Sequence, residues 1–194
     1  MNAGRGVAVF LVVLGLAAAA RAQELSVSLA AGSFRASEEA YREIYGPSVL
    51  FSADLWLKLK GHFGLGAGFA GLSDEGRAVP IGEDGAEYPV KFRRTSIPVV
   101  VFYQLDIKAV AIRFGAGLCA HRYEETWETV DLGFTGNKVS PRFFAAATFA
   151  RLGRLSLFGS ASYDTIPTGA GSPLATDVNL GGIQVLGGIS FRIF

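Results

Sequence analysis

The chain has 194 residues, of which 50% are hydrophobic, with 25 Gly, a single Cys and a formal charge of +1. That is room for one domain of ordinary size. Balanced charge excludes a partner nucleic acid held by a broad basic surface, and one Cys excludes both an internal disulfide framework and a multi-Cys zinc site. The mean hydropathy of +0.34 is high for a water-soluble domain.

Residues 1–22 read as a cleaved signal peptide. Arg5 is the positive n-region, 7–20 (VAVFLVVLGLAAAA) is an apolar run, and Ala20-Arg21-Ala22 is a small-x-small cleavage pattern. The run is shorter than the roughly 20 residues that span a bilayer as a helix. Loss of Arg5 and Arg21 takes the charge from +1 to −1. The remaining 23–194 is read as one barrel domain.

No later stretch is apolar for long enough to span as a helix, and hydrophobic period two takes over. In 25–34, Leu25, Val27 and Leu29 alternate with Ser26 and Ser28. In 49–60, Phe51, Leu55 and Leu57 alternate with Ser52, Asp54 and Lys58. In 62–72 the partners of Phe63, Leu65 and Phe69 are mostly Gly. Residues 92–105 contain IPVVVF, where Pro98 predicts a bulge or a strand end. In 109–123, Ile112, Phe114 and Leu118 oppose Arg113, Cys119 and His121. Residues 142–152 are assigned to strand from context, and 154–164 and 180–194 alternate again. Eight strands result, each near the 9–11 residues that a tilted membrane strand needs.

Three connections are short, at Gly61, Ile107-Lys108 and Gly153. Four are long and polar, at 35–48, 73–91, 124–141 and 165–178. Short and long alternate, as in an up-and-down barrel with periplasmic turns and extracellular loops. The long connections hold 13 of the 17 acids. The lipid-side parity of the clean strands carries no charge, which at mid-bilayer costs roughly 2–4 kcal/mol for Arg or Lys. Aromatic belts are expected from Phe34, Phe51, Phe69, Tyr123, Phe143 and Tyr163 outside, and Phe63, Tyr103, Phe191 and Phe194 inside. The fold class is therefore all-β: an eight-stranded antiparallel up-and-down transmembrane barrel.

The strand LSVSLAAG, the opening Ser96-Ile97-Pro98-Val99 of the fourth strand, the Gly-rich third and fifth strands and the terminal GGISFRIF resemble the OmpX/opacity-type outer-membrane barrels of Gram-negative bacteria. The resemblance covers 23–194. It implies residence in the outer membrane among lipid and lipopolysaccharide, and a C-terminal signal, here Phe191 and Phe194, read by the barrel-assembly machinery. Arg192 occupies the apolar position two before the end. Either the last strand is shifted by one residue or Phe194 leaves the alternation. A monomer without cofactor or metal is expected.

The inward parity collects Asp54, Lys58, Arg94, Gln104, Arg113, Gln184 and Arg192. An unpaired buried charge is costly, so Asp54 is expected to pair with Lys58, Arg94 or Arg113 in a polar plug rather than an ion path. Arg93, Arg122, Lys138 and Arg142 are assigned to the outer rim, facing lipopolysaccharide phosphates. Cys119 and His121 share one face of a strand, read as a rim histidine above a small thiol. Lipid A deacylases carry a His-x-Ser pair. His62-Phe63-Gly64 and His121-Arg122-Tyr123 lack the serine, so no nucleophile and base carry over. Loop 35–48 predicts a short helix on the rim, capped by Ser37, with Tyr41, Ile44 and Tyr45 on one face. The leading expectation is a non-enzymatic barrel displaying acidic loops for an extracellular ligand or for envelope integrity. A small pore is second and a lipid A-modifying enzyme third. A lipocalin-type barrel would need a polar exterior.

Overall fold

The computed structural model describes residues 22–79, 87–128, 132–167 and 179–194. The expected signal peptide lies outside them except for Ala22, as do Glu83, Asp84, Asp131 and Asp177 of the acidic connections. The strands are β1 (Ala22–Ala36), β2 (Ser48–Leu59), β3 (Phe63–Ala78), β4 (Tyr88–Ile107), β5 (Val110–Trp127), β6 (Leu132–Leu152), β7 (Leu155–Asp164) and β8 (Gly182–Arg192). They close as a barrel in sequence order, β8 pairing back onto β1. Closure leaves no sheet edge inside a bilayer, where an unpaired backbone group costs several kcal/mol.

The alternation sorts side chains as the sequence requires. Leu29, Phe51, Phe69, Val101, Leu118, Phe143 and Val185 stand exposed on the outer wall, while Ser28, Arg94, Gln104 and Gln184 are buried. Outward residues become polar above Ala31, Phe69, Ile97, Ala120 and Val139, which marks the top of the apolar belt. Phe34 and Tyr123 depart from the expected outer aromatic belt. Both carry inward parity, and Phe34 is 1% exposed inside the lumen.

Two of the expected long loops are mostly strand. β3 and β4 pair out to Ala78↔Tyr88, and β5 and β6 out to Trp127↔Leu132. These four strands continue as a sheet beyond the belt, with Lys91, Arg93, Arg122 and Glu124 on its outer face. Polarity was read as loop, but a two-sided sheet in water carries polar residues on its outer face as readily. The outer half of β6, residues 132–141, pairs with β5. Among the described residues nothing pairs with its other side, because β6–β7 pairing begins at Arg142↔Asp164.

Two local expectations resolve similarly. Pro98 interrupts β3–β4 pairing between Ala67↔Val99 and Ala70↔Ser96 without changing register, so there is no bulge. Irregularities fall instead between Ala22 and Glu24 and between Phe149 and Arg151, where Ala150 adopts a φ of 54°. At the end of β8, Leu25 N–H donates to Phe194 O, and Ile193 N–H donates to Leu25 O. Two residues thus oppose one, so Phe191 keeps the outward parity and Phe194 leaves the alternation.

Inward glycines make room for large interior rings. A Cβ on Gly66 would meet the Trp56 ring and Val100, whereas nothing lies within 4 Å of one on the outward Gly187. Gly66→Val is expected to cost about 1–3 kcal/mol by overpacking, and Gly187→Val close to nothing. Urea titration of the barrel in lipid vesicles checks both, and equal midpoints would refute the assignment of faces.

Candidate functional site

The lumen is built in layers. The outermost is a cap. Helix α1 (Glu39–Tyr45) follows β1 and turns its aromatic face into the mouth rather than along the rim. Tyr41 stands edge-on to Phe34 at 6.1 Å and to Phe92 at 5.2 Å. Its hydroxyl donates to Asp74 at 2.6 Å, and Ser48 donates to the same carboxylate at 2.5 Å. Gly76 on β3 lets the backbone of Ile44 approach closely. Leu50, Leu72, Val90 and Trp127 complete an apolar cluster around the tyrosines. Ser37 is not the helix cap. Its N–H donates to Gly181 O, which ties it to the chain entering β8, and Glu38 takes the capping position without a side-chain bond.

Beneath the cap lies a polar layer. Arg142 Nη1 donates to Asp164 Oδ2 at 2.9 Å, and Nη2 donates to Ser162 at 2.7 Å and to Gln184 at 3.0 Å. Gln184 Nε2 closes the ring by donating to Asp164 at 3.0 Å. Arg94 donates to Leu180 O at 2.7 Å and lies 4.1 Å over the Phe34 ring. Its Nε and Nη2, and Asp164 Oδ1, are buried without a hydrogen-bond partner among the described residues. Ordered water commonly satisfies such a set of donors and acceptors. This corrects the rim assignment of Arg142, which is 8% exposed and inside the barrel.

His121 is also inside, at 2% exposure. Its Nδ1 lies 2.8 Å from Ser96 Oγ and its Nε2 lies 2.9 Å from Ser140 Oγ. The serine missing from its own strand thus arrives from both neighbours, but the group lies under the cap. His62, by contrast, faces Gln104 O at 3.0 Å and stacks on Tyr103. Cys119, His121 and Asp164 bring ligand atoms within 4.8 Å of one another. Both ring nitrogens and Asp164 Oδ2 already have partners, and Arg94 and Arg142 oppose a cation there. The arrangement is a hydrogen-bonded core.

Asp54 sits lower, half-buried, accepting from Ser52 at 3.0 Å. None of Lys58, Arg94 or Arg113 pairs with it. With Ser160, Ser162, Arg142 and Phe144 it lines a cavity of about 40 Å³, room for about three waters. Below this, Trp56 meets Phe102 at 5.6 Å and Phe144 at 5.3 Å across the lumen, with Val100 packed beside them. The last layer is charged. Arg113 Nε donates to Gln104 at 2.7 Å, Gln104 donates to Asp106 at 2.8 Å, and Lys58 donates to Asp106 at 2.7 Å. Arg113 also reaches Glu24 at 3.6 Å. Arg192 follows the inward parity but is exposed at the short-turn mouth of the barrel.

Sequence reasoning grouped seven interior polar residues. They fall instead into separate sets, with Arg94 and Gln184 above the aromatic layer and Lys58, Gln104 and Arg113 below it. Asp164, Asp106, Ser96, Ser140 and the ring of Trp56 were missed as partners. The inward parity that Asp164 shares with Ser162 was the available signal. On the outer wall, Arg93 lies opposite Glu124, and Arg122 lies between Thr95 and Asn137. Lys138 lies opposite His121 on the inward parity of β6, exposed above the belt. Thr95, Ile97, Ala120, Arg122, Asn137 and Val139 border a shallow groove at the top of the belt.

Removing one member of a buried ion pair strands the other. Arg142→Met is expected to lower stability by about 3–5 kcal/mol, and Arg142→Met with Asp164→Leu to restore most of it. The urea midpoint reads this, and an unchanged midpoint in the single variant would refute the pairing. The cap is also expected to respond to pH. Glu125 lies above the belt, and Trp127 Nε1 donates to it at 2.8 Å. Burial holds its carboxyl above the ordinary range, with the Trp127 bond opposing that shift. Closure therefore favours the protonated form. Its contribution is complete below the ordinary carboxylate pKa of about 4.3 and is lost as pH rises through the raised value. Exchange protection of α1 amides, corrected for intrinsic rates, is expected to fall over that window and to flatten in Glu125→Gln. Protection that rises with pH would contradict it.

No family model and no curated protein matches the chain. Solved structures do. OprG from Pseudomonas aeruginosa aligns with a TM-score of 0.66 at 8% identity, over 89% of this chain and 97% of that one. A major outer membrane protein from Thermus thermophilus aligns at 0.62 and 12% identity, over 88% and 98%. Neisserial surface protein A aligns at 0.57 and 12% identity, over 87% and 95%. The chain has the fold of the small eight-stranded outer-membrane barrels, the family its sequence resembles.

Proposed function

We propose that this chain is a closed, non-enzymatic outer-membrane barrel that holds a docking sheet at the cell surface. The observation that supports the reading is the pairing of a lumen crossed by two apolar layers with a projecting sheet. Two apolar layers, Tyr41/Phe34/Phe92 and Trp56/Phe102/Phe144, cross the interior. Above the belt, the edge of 132–141, unpaired among the described residues, offers backbone donors and acceptors to an extended extracellular ligand. A pore for ions or apolar solutes would have to breach both layers. An enzyme acting on lipid A would need its nucleophile on the lipid side, whereas His121 with its two serines is enclosed.

Arg93 and Arg122 are the residues proposed to meet lipopolysaccharide. They point outward at the top of the belt beside the groove floored by Ala120, where the phosphates of an outer-leaflet lipid would lie. Phe191 and Phe194 are proposed to be read by the barrel-assembly machinery, and the working unit is proposed to be the monomer.

Two measurements test this. In planar bilayers the protein is expected to give no steady discrete openings, and their appearance would sink the closed reading. A cation at an anionic surface contributes about 1 kcal/mol, or about fivefold in affinity. Arg93→Glu with Arg122→Glu is therefore expected to weaken lipopolysaccharide binding by tenfold or more, with an unchanged heat-modifiable gel shift. Undiminished binding would remove the rim from the proposal.

A further inference from the structure

The periplasmic end has a charge character opposite to that of the outer connections. Among the described residues there, Arg113, Arg151 and Arg192 open into one pocket. Lys58, Lys60, Lys108 and Arg154 stand at the same end, and Glu24 and Asp106 are the carboxylates facing them. The pocket is small, about 50 Å³, and Glu24, Ser156 and Ser190 also line it, so an entering carboxylate competes with Glu24 for Arg113.

Three features make it a recess rather than a charged rim. Arg113 is 7% exposed and fixed by Gln104 and Glu24, so one guanidinium is held in place in the wall. It lies 5.6 Å from the Trp56 ring and 5.5 Å from the Phe102 ring, the aromatic layer that closes the lumen. The aromatic layer therefore stands directly behind the guanidinium that forms the inner wall of the pocket. Arg192 makes no ion pair among the described residues, and Arg151 shares Asp106 with Lys58 at a loose 3.6 Å. Arg192 is thus the guanidinium left without a carboxylate, beside a loosely held Arg151 and a fixed Arg113.

We propose that this mouth binds carboxylate groups of the peptidoglycan layer, one carboxylate entering among Arg113, Arg151 and Arg192. The planar fork of Arg matches a carboxylate with paired N–H donors. The pocket admits a group of about that size. It opens along the barrel axis into the periplasm. Phospholipid headgroups ring the barrel wall instead and lie outside its line of approach. The proposal concerns the end opposite the docking sheet, so either can fail without the other.

The test uses the full folded barrel in detergent micelles and co-sedimentation with isolated peptidoglycan sacculi. Native sacculi are expected to carry the protein down. Sacculi whose carboxyls have been amidated are expected to carry at least fivefold less. Arg151→Gln with Arg192→Gln is expected to cause a similar loss while keeping the heat-modifiable shift. Equal binding to amidated sacculi overturns the proposal without reliance on any variant. Full binding by the double variant also overturns it. So does failure of native sacculi to bind while inorganic phosphate binds by calorimetry, which would make the mouth a site for free phosphate.

Discussion

Everything in this molecule depends on the absence of water in the bilayer core. A backbone N–H or C=O facing hydrocarbon must be paired within the protein, and a charged side chain there is excluded. Closure of β8 onto β1 answers the first demand, and a wall of Leu, Val, Ile and Phe answers the second. Because side chains alternate, fixing the outer face fixes which residues enter the lumen. The interior is what the other parity leaves over, and it must then be made stable by itself.

That interior is solved by segregation. Eight strands enclose a lumen just wide enough for side chains. Polar residues alone would leave charges to be matched across it, and apolar residues alone would leave no reason for one register over another. Here charged layers alternate with aromatic ones. Arg142, Asp164, Gln184 and Ser162 form one linked set, and Arg113, Gln104, Asp106 and Lys58 form a chain. The Trp56/Phe102/Phe144 layer separates them, and glycines at 64 and 66 give its rings space. Each polar set joins several strands, β6, β7 and β8 in the first and β2, β4 and β5 in the second, so a slip of register would strand several buried groups at once.

The barrel was legible because period two and the terminal motif are local signals. Phe51, Leu55, Ala67 and Phe69 declare their face within a single strand. What was not legible is whatever depends on which strand stands opposite. Parity pairs Asp54 with Lys58, Arg94 or Arg113, yet Lys58 is drawn to Asp106, 48 residues away in sequence. Arg142 was placed on the rim because it opens an apolar segment. It lies inside because β6 begins ten residues earlier than that segment, at Leu132, and its parity was unanchored. The projecting sheet was read as loops for a related reason: once a strand leaves the belt, its outer face no longer has to be apolar.

The projecting sheet and the cap are linked by that same release from lipid. Above the belt, β3 and β4 continue together while β1 and β2 are joined by the stretch that holds α1. The inner face of the extension, with Leu72, Val90, Phe92 and Trp127, would be wet if nothing covered it. Tyr41 and Tyr45 cover it, and Asp74 satisfies the hydroxyl of Tyr41 from the sheet being covered. The cap thus serves the sheet as much as the lumen. It supplies the second apolar layer that a half-barrel needs in water, and closure of the mouth follows as a geometric consequence.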